Sequence, residues 1–198
     1  MNRDETRQRL IDATIYVIAK EGLDKTSTKQ IGLASSINEA YIYRCFADKE
    51  DMISKAFDQL DEELLDATMR SVGIFSSTEL DFVMRCRLYF LEIWEFILSN
   101  RDKCLAYVRY FYSPYFIRYS ATGHEERFAP FVKKMRSSFK DEADVWMILN
   151  HILNVMLDFA VKVHSGQKVC DEDYTEHVFR VIYASVNQYF RNAKEYDF

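Results

Sequence analysis

The chain has 198 residues, of which 48% are hydrophobic and 29% are charged, and its net charge is -5. This length allows one or two domains with a packed core, and the composition excludes an intrinsically disordered chain. With only 5 glycines and 2 prolines, we expect an all-α protein. No apolar run approaches the roughly 18 residues of a membrane-spanning helix, and the charged N-terminus is not typical of a signal peptide. We therefore expect a cytoplasmic protein with no membrane partner.

The first predicted helix runs from Asp4 to Lys20 and ends at Gly22, a residue typical of helix C-termini. Three arginines lie at its beginning: Arg3, Arg7 and Arg9. One interpretation of these arginines is a solvated helix end.

The next elements are two short helices joined by a turn. Ser27 and Gln30 have the spacing of a capping box, which predicts a helix start. After the turn at Ser36, Asn38 is suited to cap a second helix, Glu39–Arg44. Two short helices with so short a connection indicate a helix-turn-helix, whose second helix enters the major groove.

The second helix of this motif has one inward face. Ile42 and Phe46 are four residues apart and are predicted to be buried. Five residues then remain largely outside: Glu39, Ala40, Tyr41, Tyr43 and Arg44. Asp48 is suited to cap the following helix, with Lys49 in its first turn.

From Thr6 to Phe57 the chain resembles the DNA-binding domain of TetR-family transcriptional regulators. The residues that carry the resemblance, without a gap, are Gly22, Thr26, Ser27, Ile31, Ala34, Ile37, Ile42, Tyr43, Phe46, Lys49, Glu50 and Met52. The chain departs from the family pattern at four positions, with Gly32 for alanine, Ser36 for glycine, and Glu39-Ala40 for a small residue and glycine. Ser36 strains the turn if that position needs a positive φ, and Gly32 lowers helix propensity.

The residues of this motif divide into phosphate contacts and base readers. The Tyr43 hydroxyl can donate to a phosphate oxygen, and Lys49 lies at a helix N-terminus that favours anions. The predicted DNA-binding residues are Ser27, Thr28, Lys29, Asn38, Glu39, Ala40, Tyr41, Tyr43, Arg44 and Lys49. Base reading is assigned to Asn38, Glu39, Ala40, Tyr41 and Arg44, whose groups suit base edges. The alternative for each residue is an exposed side chain that contacts nothing.

The remainder of the chain is predicted to be helical. We expect helices from Asp48 to Arg70, from Thr78 to Ser99 behind a Ser76–Glu79 capping box, and from Asp102 to Tyr112. Tyr115–Gly123 is expected to be a loop, and Pro130 is expected near a helix start between Arg127 and Ala129. The last two helices, Asp141–Ser165 and Glu172–Ala193, are long and amphipathic.

The resemblance implies two domains, residues 1–47 for DNA binding and residues 48–198 for effector binding and dimerisation. It also implies the second interpretation of Arg3, Arg7 and Arg9, a basic segment near the DNA backbone. It further implies that the two C-terminal helices pair with their copies in a homodimer. The alternative is that they close the core of the monomer. Its effector pocket lies among the middle helices, where aromatic residues are frequent. The predicted lining is Phe90, Trp94, Tyr107, Tyr110, Phe111, Phe128, Met135, Trp146 and Asn150.

Several other classes of site are not indicated. The four cysteines, Cys45, Cys86, Cys104 and Cys170, form no C-x-x-C pair, so reduced thiols are expected, with oxidation of Cys45 as an alternative. His151 and His164 have no metal-ligand spacing, so no metal and no cofactor are predicted. No nucleophile–base pair or phosphate loop is present, and His124–Glu126 is interpreted as a charged helix approach.

The sequence therefore predicts a one-component transcriptional regulator and not an enzyme. We expect a homodimeric repressor that binds a palindromic double-stranded DNA operator and responds to a small apolar or amphipathic effector. The alternatives are an activator, a repressor without an effector, a helical enzyme, or a helical interaction protein that has lost DNA binding.

Overall fold

The computed structural model describes residues 2–193, and this range folds into helices connected by turns and short 3-10 or π segments. Within the described range there is no named strand, and two residues form an isolated antiparallel bridge, Phe139 and Phe190. The predicted all-α fold is confirmed. The α-helices are α1 (Arg3–Glu21), α2 (Thr28–Ser35), α3 (Ile42–Cys45), α4 (Lys49–Ser71), α5 (Phe82–Ser99), α6 (Arg101–Phe111), α7 (Ala121–Met135), α8 (Val145–His164) and α9 (Glu172–Val186).

The described chain divides into two compact units. The first unit contains the residues up to Glu63 and the segment Asn100–Glu126, and the second contains Leu64–Ser99 and the described residues from Arg127 onward. The functional boundary between residues 47 and 48 stays a prediction. The predicted second domain extends to residue 198, and its last five residues, 194–198, lie outside the described residues.

The core of the first unit is built around α1. Asn2 and Glu5 form a capping box at the start of this helix, and Gly22 ends it with a φ of 87°. Apolar side chains that are at most 1% exposed fill the interior: Leu10, Ile31, Ile42, Met52, Ile53, Ala56 and Phe57. Because α2 and α3 are short, their stability depends on this packing.

A polar cluster is buried in the same unit. Asp61 on α4 is 0% exposed, and its Oδ1 accepts a hydrogen bond from the Tyr107 hydroxyl at 3.1 Å. His124 Nδ1 lies 2.8 Å from the same oxygen, and its ring packs edge-on against Phe111 and Phe116. The interpretation of His124–Glu126 as a charged helix approach is therefore wrong for His124, which is buried.

The second unit packs α5, α8 and α9 around aromatic side chains. Asp144 and Asp171 cap α8 and α9, accepting hydrogen bonds from Met147 N at 3.0 Å and Tyr174 N at 2.8 Å. The aromatic rings contact one another in a continuous series: Phe82 and Phe139 with Phe190, then Tyr183, Phe179, Phe90 and Trp94. Each buried ring removes a large apolar area from water and so stabilises this unit.

The predicted loop at Tyr115–Gly123 is wrong. Phe116–Ser120 forms a π-helix that leads directly into α7, which begins at Ala121. Phe116 packs against Phe57 and Phe111 at centroid distances of 5.5 Å and 4.5 Å. These contacts hold the segment in a helical conformation that the sequence did not predict.

The position expected for Pro130 is also wrong. Pro130 lies inside α7, where it cannot donate a hydrogen bond to the carbonyl of Glu126. Both residues are exposed, so water can reach the carbonyl that the proline leaves without its helical donor.

Three other helix ends differ from those predicted. There is no Ser76–Glu79 capping box at the start of α5, which begins at Phe82, and Asp81 accepts a hydrogen bond from Met84 N at 2.8 Å. α8 begins at Val145 rather than Asp141, because Asp144 is its cap. α9 ends at Val186 rather than Ala193, because Phe190 bridges to Phe139.

Among the described helices, α8 is long and apolar enough to cross a membrane, and 28% of its most apolar stretch is buried. The alternative is an amphipathic helix of a globular protein. A polar stripe at four-residue spacing favours the alternative: Asn150, Asn154, Asp158 and Lys162.

Candidate nucleic-acid interface

The first helix of the motif begins as the sequence predicts. The Ser27 hydroxyl accepts a hydrogen bond from Gln30 N at 3.3 Å, and Gln30 Oε1 accepts one from Ser27 N at 3.1 Å. This reciprocal capping box fixes the start of α2. Thr28 is half-buried and Lys29 is exposed beside it.

The turn after α2 has a left-handed residue at its centre. Ser36 has φ 54° and ψ 34°, and it is the one non-glycine residue in the described range with a positive φ. Ser36 N donates to Leu33 O at 3.2 Å, and Ile37 N donates to Gly32 O at 3.0 Å. The expected condition for strain at Ser36 is therefore met, since a side chain is disfavoured in this conformation.

Gly32 has a second consequence for this turn. A Cβ placed at Gly32 would lie 3.0 Å from the carbonyl oxygen of Ile37. That oxygen belongs to the backbone and cannot rotate away. The close approach of the two backbone segments therefore favours glycine at this position.

The second helix is anchored by two buried side chains. Asn38 Oδ1 accepts a hydrogen bond from Ala40 N at 2.9 Å and caps the segment. The predicted single helix Glu39–Arg44 is a 3-10 turn, Glu39–Tyr41, followed by α3, Ile42–Cys45. Ile42 and Phe46 are 0% and 4% exposed, as their spacing predicted.

The opposite face of this segment is open to solvent. Tyr43 is 62% exposed and Tyr41 is 46% exposed, and Glu39, Ala40 and Arg44 are exposed as well. The Arg44 guanidinium stacks on the Tyr41 ring at 4.6 Å from its centroid, which limits the rotamers of both side chains. Asn38 also lies on this surface. The surface therefore carries amide, carboxylate, hydroxyl and guanidinium groups, all of which can bind base edges.

The next helix starts beside this surface. Asp48 Oδ1 accepts from Asp51 N at 2.7 Å, which caps α4 as predicted. Lys49 lies in the first turn and pairs with Glu50 at 3.7 Å. Such a partly exposed pair is weak, so a phosphate can displace Glu50 from Lys49.

One exposed residue of the motif was missed from the sequence. Leu33 on α2 is 72% exposed, beside Ala34, which is exposed too. The spacing from Ile31, which is buried, already directs Leu33 to the other side of the helix. An exposed leucine in this position can contact deoxyribose or a thymine methyl group.

The predicted effector residues are distributed over both units. Tyr107, Tyr110 and Phe111 belong to the first unit, and the other six belong to the second. Six of the nine are buried: Phe90, Trp94, Tyr107, Tyr110, Phe128 and Met135. Burial raises the pKa of Tyr110 to about 12, and its hydroxyl lies 2.9 Å from Ser120 Oγ. The effector site stays a prediction.

In the second unit an open cleft is lined by different residues, Arg87, Leu91, Cys170, Asp171, Glu172 and Thr175. Among the described residues no three His, Cys, Asp or Glu side chains are clustered to hold a metal ion.

A capped first helix, a left-handed turn and a buried anchor under an exposed second helix define a helix-turn-helix domain. The family model of bacterial regulatory proteins, tetR family, matches residues 10–56. In this region, about a quarter of its length, the chain is similar to the DNA-binding domain of tetR-family regulators.

Two curated relatives match part of the chain. The HTH-type transcriptional regulator AcrR of Shigella flexneri is 24% identical over 88 residues, which is 44% of this chain and 41% of that protein. The HTH-type nicotine-responsive transcriptional repressor HdnoR of Paenarthrobacter nicotinovorans is 31% identical over 68 residues, or 34% and 35% of the two chains. The matched region thus spans less than half the length of either relative.

Solved structures resemble nearly the whole chain. A TetR family regulator from Marinobacter aquaeolei VT8 has a TM-score of 0.75 at 16% identity, covering 92% of this chain and 95% of that one. The regulator FadR from Bacillus subtilis, solved in complex with stearoyl-CoA, has a TM-score of 0.67 at 15% identity, covering 88% and 96%. At these identities the similarity shows the fold.

Proposed function

We propose that the protein is a homodimeric transcriptional repressor that binds a palindromic DNA operator. The observation that carries the proposal is the exposed face of the Glu39–Cys45 segment, anchored from beneath by Ile42 and Phe46. The anchor fixes the segment as a rigid body, and rigid presentation is what base readout in the major groove requires. Asn38, Glu39, Ala40, Tyr41 and Arg44 are the base readers in this proposal.

Phosphate contacts set the register of the same segment. Tyr43 and Lys49 flank the recognition surface, and Ser27, Thr28 and Lys29 stand at the N-terminus of α2, where backbone donors favour anions. The Ser27 hydroxyl is already engaged in the capping box. Ser27 therefore supports DNA binding by fixing the orientation of the start of α2.

Dimerisation is proposed through α8 and α9. Apolar side chains remain exposed on both helices, with Met147 at 57% and Val181 at 51%. A second copy of the same helices would cover this surface as a four-helix bundle. Two DNA-binding domains related by a two-fold axis match a palindromic operator, because one helix-turn-helix reads only a half-site.

The proposed effector is a small apolar or amphipathic molecule that binds among the middle helices. Two similar proteins favour this chemistry: HdnoR is described as nicotine-responsive, and FadR was solved with stearoyl-CoA. In the proposal the effector shifts α4, the helix that follows the motif. This shift changes the distance between the two DNA-binding domains of the dimer. The effect is a reciprocal coupling between the affinities for effector and operator.

The test is a selection of bound duplexes from random and genomic DNA with the purified, cytoplasmically expressed protein at moderate salt. We expect an enriched palindrome, and light scattering should give the mass of a dimer. Arg44→Ala should abolish enrichment, whereas Arg70→Ala, at an exposed arginine in the last turn of α4, should not. Binding that is absent, or independent of salt, would instead favour an interaction protein without DNA binding.

A further inference from the structure

The three arginines at the start of α1 contact the helix-turn-helix motif of their own chain. Arg9 Nη2 donates to the carbonyl oxygen of Ser35 at 2.6 Å, and Arg3 Nη2 donates to that of Arg44 at 3.3 Å. The Arg7 guanidinium lies over the Phe46 ring at 5.2 Å from its centroid. The two interpretations made from the sequence were a solvated helix end and a segment near DNA. Neither interpretation includes contacts within the chain.

The two carbonyl oxygens have a common position in their helices. Ser35 is the last residue of α2, and Arg44 lies in the last turn of α3. The final carbonyls of a helix have no partner within it, and they form the negative end of the helix dipole. A guanidinium is suited to this position because it supplies both hydrogen-bond donors and positive charge.

The contact of Arg9 is adjacent to the strained turn. Ser36 N donates a hydrogen bond to the carbonyl of Leu33, and Ile37 N donates one to that of Gly32. The guanidinium of Arg9 donates to the carbonyl of Ser35. Ser36 itself has a left-handed conformation that a glycine would adopt at lower cost. The guanidinium therefore holds the end of α2 at the residue before the turn that directs the chain into the recognition segment.

We propose that Arg9 is a positioning residue for DNA binding, supported by Arg3. It clamps the C-terminal end of α2 and so fixes the angle between α2 and the recognition segment, rather than binding a phosphate. This inference rests on the proposed function for its effect on DNA, but the clamp itself can be measured without DNA.

Arg9→Gln tests the proposal, and Arg109→Gln is its matched control. Arg109 Nη1 also donates to a backbone carbonyl at 2.6 Å, that of Ile18, in the same unit and outside the motif. Both variants remove a positive charge and a guanidinium–carbonyl hydrogen bond of 2.6 Å. Circular dichroism should find both folded, since both arginines are exposed.

The first readout is hydrogen–deuterium exchange in peptides that cover α2 and α3. We expect Arg9→Gln to accelerate exchange there about tenfold, the effect of losing one charge-assisted hydrogen bond. Arg109→Gln should leave these peptides unchanged. Equal exchange in the two variants would overturn the clamp whether or not the protein binds DNA.

The second readout is the salt dependence of binding to the tightest duplex recovered by selection. Arg9→Gln should weaken binding about tenfold with an unchanged slope of log K against log salt, and adding Ser36→Gly should restore most of the loss. A slope reduced by about one for each lost contact would mean that Arg9 binds phosphate, which refutes the inference. If the wild-type protein binds no duplex, the proposed function fails, and the exchange experiment still decides the clamp.

Discussion

Removing the carboxylate of Asp61 is expected to destabilise the first unit strongly. Asp61 is 0% exposed and receives two hydrogen bonds on one oxygen, from Tyr107 and from His124. With a carboxylate as acceptor, His124 must carry a proton on Nδ1. Asp61→Ala would leave both donors buried opposite a small cavity.

The size of the effect follows from this burial. Breaking a buried pair by removing one partner costs about 3–5 kcal/mol, because the remaining buried polar groups lose the carboxylate that they contact. This is a large part of a typical folding free energy of about 5–15 kcal/mol. At about 2–4 °C per kcal/mol for a chain of this size, a loss of about 3 kcal/mol lowers Tm by about 6–12 °C.

Thermal unfolding followed by circular dichroism measures this shift. The control is Asp58→Ala, three residues earlier on α4, where the carboxylate pairs with Lys55 at 3.0 Å in a partly exposed position. Such a pair contributes about 0–1 kcal/mol. If the Tm values of the two variants agree within error, the buried cluster does not stabilise the unit and the reasoning is refuted.

Three other outcomes are expected. Tyr43→Phe and Lys49→Ala should weaken binding to operator and scrambled duplexes about equally in fluorescence anisotropy, and a loss confined to the operator would contradict phosphate contacts. Ser36→Gly should raise Tm by about 1–4 °C. The relief of strain in the left-handed conformation should exceed the cost of the entropy that glycine adds to the unfolded chain. A lower Tm would show that Ser36 is not strained. Burial raises the pKa of the Cys86 and Cys104 thiols to about 12, so at pH 8 they stay protonated. A thiol reagent should therefore modify only the other two cysteines until denaturant is added, and four fast thiols in the native protein would contradict this.

Features that the sequence determined are those whose partners are close along the chain. The Ser27–Gln30 capping box, the Asn38 cap and the inward pair Ile42 and Phe46 all join residues two to four positions apart. Their geometry is fixed by the helix itself, so residue type and spacing are enough to predict them. The helix-turn-helix and the all-α fold were predictable for this reason.

Most features that only the tertiary structure decided join residues that are distant in the sequence. The sequence interpreted Gly32 as a weak helix residue, whereas a Cβ there would lie only 3.0 Å from the carbonyl oxygen of Ile37 across the turn. Arg9 meets Ser35 across 26 positions, and Asp61 meets His124 across 63. No local propensity encodes such pairs, because each depends on how separate helices pack. The order of the Phe116–Ser120 segment has the same origin, since its aromatic ring finds partners only in the folded core.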